Sequence, residues 1–242
     1  MVRSAAAEAV ATGLGGGVLG GAALAAFGLG WPGVAIGAVN GGLSGWRRTY
    51  DWQRPTGWLA FALDSTWASP LTAAALFTHA VAALQPERGG YVADLSQRAN
   101  RHVYRRGFRV RRGFLITIGN TVHGAGDIAA TDARRRRVVT DHEDVHVWQG
   151  RWLGPLYPLL YGGWMLLGGA LGAAVWAVRR RDQPIGKVME TCAYYLNPFE
   201  WWAYSRDANW PPRGKVAGLG WRRAVVRPLS RPARPAPPAA PG

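Results

Sequence analysis

Residues 137–150 read RVVTDHEDVHVWQG, and in this stretch three residues separate His142 from His146. Residues i and i+4 lie on the same face of an α-helix, so both imidazoles can point at one metal ion. Glu143 lies about 100° around the helix, where it can hold a water on that metal instead of binding the metal itself. The stretch therefore predicts a helix with two metal ligands and an adjacent general base.

The same residues allow two simpler interpretations. Thr140 and Glu143 have the spacing of a capping box, in which the Glu143 side chain bonds the backbone N–H of Thr140 at a helix start. The two histidines can equally belong to an ordinary solvated helix face. A catalytic zinc site also needs a third protein ligand, which has to come from elsewhere in the chain.

Few residues downstream of His146 can supply that third ligand. No histidine follows it, and the remaining acidic residues are Asp182, Glu190, Glu200 and Asp207. Glu200 lies in the segment NPFEWWAY, residues 197–204. Asn197 can cap a helix there and Pro198 suits its first position, which puts Glu200 in the first turn. The helix dipole alone also favours a carboxylate at that place.

The two segments together resemble those of the gluzincins, the thermolysin-like zinc metallopeptidases, which combine His-Glu-x-x-His with a later helix carrying Glu-x-x-Ala or Glu-x-x-x-Asp. The resemblance covers residues 108–150 and 195–207. It implies that His142, His146 and Glu200 bind Zn²⁺ and that Glu143 is the catalytic base acting on a zinc-bound water. The activity that it implies is hydrolysis of peptide bonds.

The chain departs from the gluzincin pattern at several positions. Asp144 occupies a place that is usually uncharged, where a carboxylate is either a second base or a sign of decay. Tyr204 stands four residues after Glu200 instead of an acidic residue, and Asp207 can replace the missing carboxylate that orients a ligand. The oxyanion of the reaction also needs a hydrogen-bond donor. Its candidates are His123, Tyr194, Tyr195 and Tyr204.

Segments before the His-Glu-x-x-His run have the composition of β-strands. Phe108–Val110, Gly113–Ile118 and Arg137–Thr140 are rich in β-branched and aromatic residues and are separated by glycine and charged residues. The predicted fold class is therefore α+β and mainly helical, with a small antiparallel sheet preceding a zincin-like helix. An edge strand of such a sheet can pair with an extended peptide substrate.

The composition points to a membrane and away from nucleic acid. The net charge of the 242 residues is +15, and of the 29 basic residues only Lys187 and Lys215 are lysines. The arginines flank apolar segments, as expected for contact with anionic lipid headgroups, and do not form one stripe with interleaved aromatics. The 13 tryptophans can form an interfacial belt. We expect membrane lipid as a partner, in a bacterial cell membrane.

Residues 1–50 form the first predicted domain, a membrane hairpin built on a glycine zipper. Glycines recur every fourth residue from Gly13 to Gly21 and from Gly33 to Gly45, a spacing that lets helix backbones touch in lipid. Trp31-Pro32-Gly33 is expected to break the zipper into two helices. The same glycine faces can support a homo-oligomer.

The remaining chain is divided into three further domains. Residues 51–100 are predicted to be an apolar helical membrane-associated segment, in which Ser69-Pro70 begins a helix and Asp64 serves as a cap near the surface. Residues 101–207 are the predicted metallopeptidase core, including an apolar hairpin over 155–178. Residues 208–242 are a basic, proline-rich tail predicted to be disordered.

The apolar stretch 155–178 lies between the proposed ligands in sequence, so a single crossing of the bilayer would separate them. A turn at Gly168-Gly169, or a return through residues 184–204, avoids this. For the return, two straight antiparallel helices would carry Glu200 well past His146, so we predict a bend between residues 150 and 158, where Gly154, Pro155 and Pro158 allow it.

Two function classes compete with a membrane-associated zinc metallopeptidase acting on a protein or peptide. One is a non-enzymatic glycine-zipper membrane protein with transmembrane helices and a degenerate His-Glu-x-x-His motif. The other is a protein for metal sensing or storage, which needs no general base.

Overall fold

The computed structural model describes residues 4–110, 113–128, 130 and 132–227, and the chain divides into two compact units, Met1–Gly163 and Trp164–Gly242. The described residues are mainly helical with one small sheet, which confirms the predicted fold class in its coarse form. The predicted divisions at residues 50 and 100 stay predictions.

The first unit begins with the predicted helical hairpin. Helix α1 covers Ala5–Ala25 and helix α2 covers Gly30–Trp46. The break lies earlier than predicted, in the loop at Gly28, whose φ is +71°. Pro32 does not interrupt α2 because it occupies the first helical turn, where no intrahelical N–H bond is lost.

The glycines of the hairpin bring the two helix backbones into direct contact. A Cβ atom on Gly37 would lie 2.0 Å from the carbonyl oxygen of Gly16, and one on Gly33 would lie 2.2 Å from that of Gly20. The Thr12 hydroxyl donates a 2.6 Å hydrogen bond to the Gly41 carbonyl across the same contact. The zipper is thus used within one chain, and its use in a homo-oligomer stays a prediction.

Substitution of Gly37 by Ala is expected to destabilise this unit by about 1–3 kcal/mol, because a methyl group cannot fit against the Gly16 carbonyl. Gly42→Ala is the matched control in the same helix, since its Cβ would meet only one atom, 4.0 Å away. That change should be neutral or stabilising by up to about 1 kcal/mol. Thermal unfolding in detergent measures both, and equal midpoints would contradict the packing described above.

Two shorter helices, α3 (Pro55–Ser65) and α4 (Ser69–Ala83), follow the hairpin. Pro70 lies in the first turn of α4 as predicted, but the cap position is Ala68 and no side chain caps the helix. Asp64 is not a surface cap. It is buried near the end of α3 and forms an ion pair with Arg151, which is equally buried.

The sheet has three short strands, β1 (His102–Tyr104), β2 (Ile116–Ile118) and β3 (Thr121–His123), in the order β1-β3-β2. The sheet is mixed and not antiparallel as predicted, because β1 pairs with β3 in parallel while β2 pairs with β3 in antiparallel. Of the predicted strand Gly113–Ile118 only the last three residues form β2, and Phe108–Val110 is not a strand.

Residues 137–140 are helical, contrary to the strand prediction. Helix α5 (Ala133–Arg137) continues through a π-helical turn (Val138–His142) into α6 (Glu143–Leu153). Val139 and Val147 are buried in one apolar cluster with Val103 and Val122 of the sheet. Packing on the sheet therefore overrides the β-propensity of the valines. Asp132, not Thr140, caps this helical run, through a 2.7 Å bond from Arg135 N–H.

The predicted bend occurs at Gly154, where α6 ends with a φ of +52°. Helix α7 (Leu156–Arg179) is continuous, so the predicted hairpin within 155–178 and its turn at Gly168-Gly169 are wrong. In the second unit the chain returns through α8 (Ile185–Glu190) and a π-helical turn (Thr191–Tyr195). A Cβ on Gly168 would lie 2.6 Å from the Cys192 carbonyl oxygen, so glycine permits this close return.

Helix α9 (Pro198–Arg206) is the last helix among the described residues of the second unit. Residues 208–227 contain no helix or strand, yet they contact α9 and its surroundings. The Trp221 ring stacks on Trp201 with centroids 4.9 Å apart, and its indole N–H donates to the Leu196 carbonyl. The rest of the tail, 228–242, lies outside the described residues.

Within the part of the chain that the structure describes, two helices are long and apolar enough to cross a membrane. They are α1, with 21 residues, and α7, with 24, and only 28% and 11% of their most apolar windows are buried within the protein. Exposed apolar helices of this length are typical of bilayer contact.

Candidate metal centre

The histidines of the His-Glu-x-x-His run lie at the start of α6. His142 ends the π-helical turn and His146 lies in the first turns of α6, both buried. Their Nε2 atoms are 3.2 Å apart, so the two imidazoles converge on one point as the spacing predicted. The capping-box and solvated-face interpretations are therefore wrong.

The other ring nitrogen of His146 is held by neighbouring polar groups. His146 Nδ1 lies 2.9 Å from Gln149 Oε1 and 3.1 Å from the Tyr157 hydroxyl. An amide oxygen can only accept, so this contact places the proton on Nδ1, and the Nε2 atom of His146 faces His142 Nε2. Gln149 was not predicted as part of the site. Its position three residues after His146, on the same face of the predicted helix, was the signal that could have identified it.

Glu143 is buried beside the histidines and is fixed by the sheet. Its Oε2 atom accepts a 2.6 Å hydrogen bond from the Thr117 hydroxyl on β2. This bond leaves the second carboxylate oxygen of Glu143 for another proton donor. The strand thus positions the carboxylate that the sequence assigned as a base.

Glu200 lies in the first turn of α9, as predicted. The Asn197 side chain caps that helix by accepting a 3.1 Å bond from Phe199 N–H, and Pro198 occupies its first position. The Glu200 carboxylate is buried. Burial raises the pKa of the Tyr204 hydroxyl one helical turn away, and the Glu200 charge raises it further, so Tyr204 stays protonated.

The three predicted ligands come together. One ligand atom from each of His142, His146 and Glu200 lies within 4.8 Å of the others, and all three side chains are buried. Such a buried group of two imidazoles and a carboxylate can hold a metal ion.

Asp144, the charged residue that departs from the gluzincin pattern, has a structural partner. Its carboxylate forms an ion pair with Arg101, which also donates to the Thr140 carbonyl at 3.3 Å. The pair ties the start of α6 to the segment before β1. This contact accounts for Asp144 without a role as a second base.

The other candidate residues lie in different settings. Asp207 is buried at the C-cap of α9 and accepts a 2.9 Å bond from Asn209 N–H. His123 lies in β3 with its Nδ1 accepting from Phe108 N–H at 3.2 Å and its Nε2 3.0 Å from Thr121 Oγ1. Burial lowers the pKa of His123 to about 4, so the ring is neutral. Its contacts make His123 part of the sheet core.

Tyr194 and Tyr195 lie in the π-helical turn before α9, with their rings 5.0 Å apart, and Tyr195 is 5.9 Å from Tyr204. These tyrosines therefore form one aromatic cluster at α9, the helix that carries Glu200.

Comparison of the chain with protein-family models, with curated proteins and with solved structures gave no match.

Proposed function

We propose that this protein is a zinc-dependent metallopeptidase. The observation that carries the proposal is the buried convergence of His142, His146 and Glu200, with the Glu143 carboxylate fixed beside it. Two imidazoles, one carboxylate and an adjacent base are the set of groups that hydrolytic zinc sites use. The gluzincin resemblance of the two sequence segments points the same way.

The measured spacing of the ligand atoms fits a zinc ion. Two nitrogens bound to one tetrahedral zinc, each about 2.0–2.1 Å from it, lie roughly 3.3 Å apart. The Nε2 atoms of His142 and His146 are 3.2 Å apart, which is close to that spacing. The hydrogen bond from His146 Nδ1 to Gln149 also selects the tautomer that can bind through Nε2.

When bound, Zn²⁺ supplies Lewis acidity that lowers the pKa of water and polarises a carbonyl. The residues of the chain supply the proton transfers. Glu143 accepts a proton from the attacking water and delivers it to the leaving amine, while the Thr117 hydroxyl holds its other oxygen. Strand β2 lies at the edge of the sheet, where an extended peptide can pair with it.

The substrate in this proposal is a protein or peptide near a membrane surface. Helices α1 and α7 are apolar and largely exposed, and an enzyme anchored by them acts on chains that reach the bilayer. A bacterial cell membrane as its location stays a prediction. A competing function, metal storage or sensing, uses the same ligands but needs no general base and so gives Glu143 no chemical role.

Metal content tests the proposal directly. Protein purified without chelators is expected to contain about one zinc per chain, and His146→Ala should lose most of it because two of three ligands remain. Glu143→Gln is the matched control, since that residue faces Thr117 and should retain the metal. Elemental analysis by mass spectrometry measures the zinc content of the wild type and of both variants. Equal, near-zero zinc in the wild type and in His146→Ala would contradict the metallopeptidase.

A further inference from the structure

The N-terminal hairpin has a long stretch without charge. Between Glu8 and Arg47 the chain contains no Asp, Glu, Lys or Arg, and this stretch includes most of α1, the connecting loop and all of α2. A stretch of this length without charge is rare on a surface that faces water.

The charged ends of the hairpin are fixed at the base, beside the sheet. The Glu8 carboxylate accepts hydrogen bonds from the Arg98 guanidinium at 2.6 and 2.7 Å and from the Trp52 indole at 2.7 Å. Arg47, just after α2, lies 4.2 Å above the Tyr91 ring and donates to the Tyr104 hydroxyl. Both ends of the hairpin are therefore held on the same side.

The polar side chains of the hairpin point inward. Thr12, Asn40 and Ser44 are buried. Asn40 donates to the Tyr50 hydroxyl at 3.1 Å and accepts from Asn120 at 2.9 Å, while the Ser44 hydroxyl is 3.1 Å from His102 Nε2. These groups are satisfied within the protein, so the outer surface of the hairpin is left to apolar side chains.

The outer surface is apolar along its length and at its tip. Val10, Leu14 and Val18 recur every fourth residue on α1 and are 62%, 69% and 71% exposed. The tip carries Phe27, Leu29 and Trp31, which are 75%, 49% and 85% exposed. A continuous apolar surface with aromatic rings and no charge fits lipid acyl chains better than a protein partner, whose interface has a polar rim.

We propose that the hairpin is inserted tip first into the bilayer, with residues 27–31 in the hydrocarbon and with both ends on the face from which it enters. The inference deepens the membrane part of the proposed function and does not depend on the metal. Helix α2 has 17 residues, and α1 has 17 after its charged residue Glu8, so each uncharged arm is about 25 Å long while the hydrocarbon layer is about 30 Å thick. The hairpin is thus too short to expose its tip on the far side.

Spin labels at single cysteines measure this depth in the full chain. Cys192→Ser removes the single native cysteine. Nitroxides are then placed at Leu29→Cys, Val18→Cys and the exposed base position Gln53→Cys, and the proteins are reconstituted in vesicles of phosphatidylcholine and phosphatidylglycerol. Oxygen concentrates in hydrocarbon and a neutral nickel chelate stays in water, so the ratio of the two collision rates reports depth.

The expected ratio of oxygen to nickel collisions is low at Gln53 and high at both Val18 and Leu29, because both of these labels lie in the hydrocarbon, and the label at Leu29 loses its collisions with nickel. A Leu29 label that meets nickel as often as the Gln53 label would overturn the proposal. So would a Leu29 label that is shielded from both reagents and broadened by a second nitroxide, since a second copy would then cover the tip. A label at Phe27→Cys repeats the measurement at an independent site on the tip.

The same labels in a His146→Ala background separate this inference from the peptidase. Loss of the metal should leave the depth of Leu29 unchanged, because the hairpin contacts described above do not involve the metal ligands. A shallow tip with zinc retained would refute insertion alone, and a deep tip without zinc would refute the metal site alone.

Discussion

Replacing Glu143 by Gln is expected to lower the rate of peptide hydrolysis by about 10²–10⁴-fold, the usual contribution of a general base. The amide keeps the shape of the side chain and its contact with the Thr117 hydroxyl, but it cannot accept the proton of the attacking water. The rate should be measured on fluorescently labelled, unfolded casein in detergent. Zinc content, read in the same sample, should equal that of the wild type.

Asp144→Asn is the matched control for this experiment. It makes the same chemical change one residue further along α6, where the carboxylate pairs with Arg101 and not with the histidines. The control should unfold more easily but retain hydrolysis per folded molecule. Equal loss of activity in both variants would mean that Glu143 has no special role, and retained activity in Glu143→Gln would remove it from the mechanism.

Single replacement of Arg151 by Met is expected to cost about 3–5 kcal/mol of unfolding free energy, the largest stability effect that the structure predicts. Arg151 donates to both oxygens of Asp64 at 2.8 Å, and each side chain is only 2% exposed. Removal of the guanidinium leaves a buried carboxylate with only the Tyr50 hydroxyl and the Asn120 amide as donors. Thermal and denaturant unfolding in detergent measure the loss.

The double variant Asp64→Leu with Arg151→Met distinguishes an unpaired charge from lost packing. Two apolar side chains of similar size remove both charges, so the double variant should be more stable than either single one. If the two single costs simply add, the ion pair is not what stabilises this part of the fold.

The sequence predicted those features that depend on local spacing. The spacing of four residues between the two histidines predicted that they converge on one helix face. Asn197-Pro198 likewise predicted the start of the helix that carries Glu200. The bend at Gly154 followed from glycine and proline chemistry in the same way. Each of these predictions needed only a few neighbouring residues.

The sequence could not predict features that depend on distant partners. Asp64 looked like a surface cap because its partner Arg151 is far away in the chain, and no local pattern joins them. Val138 and Val139 looked like a strand because the burial of Val139 against the sheet, which decides the local conformation, is a tertiary effect. The contact of the Thr117 hydroxyl with the Glu143 carboxylate could not be predicted for the same reason.

For the metallopeptidase that we propose, the shortness of β2 has a consequence for substrate selection. A strand of three residues, Ile116–Ile118, can form only a few main-chain hydrogen bonds with an added peptide, so an incoming chain gains little free energy from pairing there. Such weak capture is compensated when enzyme and target are confined to one two-dimensional sheet of lipid, which raises their effective concentration. Substrate selectivity would then depend more on whether a protein lies in the same membrane than on the amino acids around the cleaved bond.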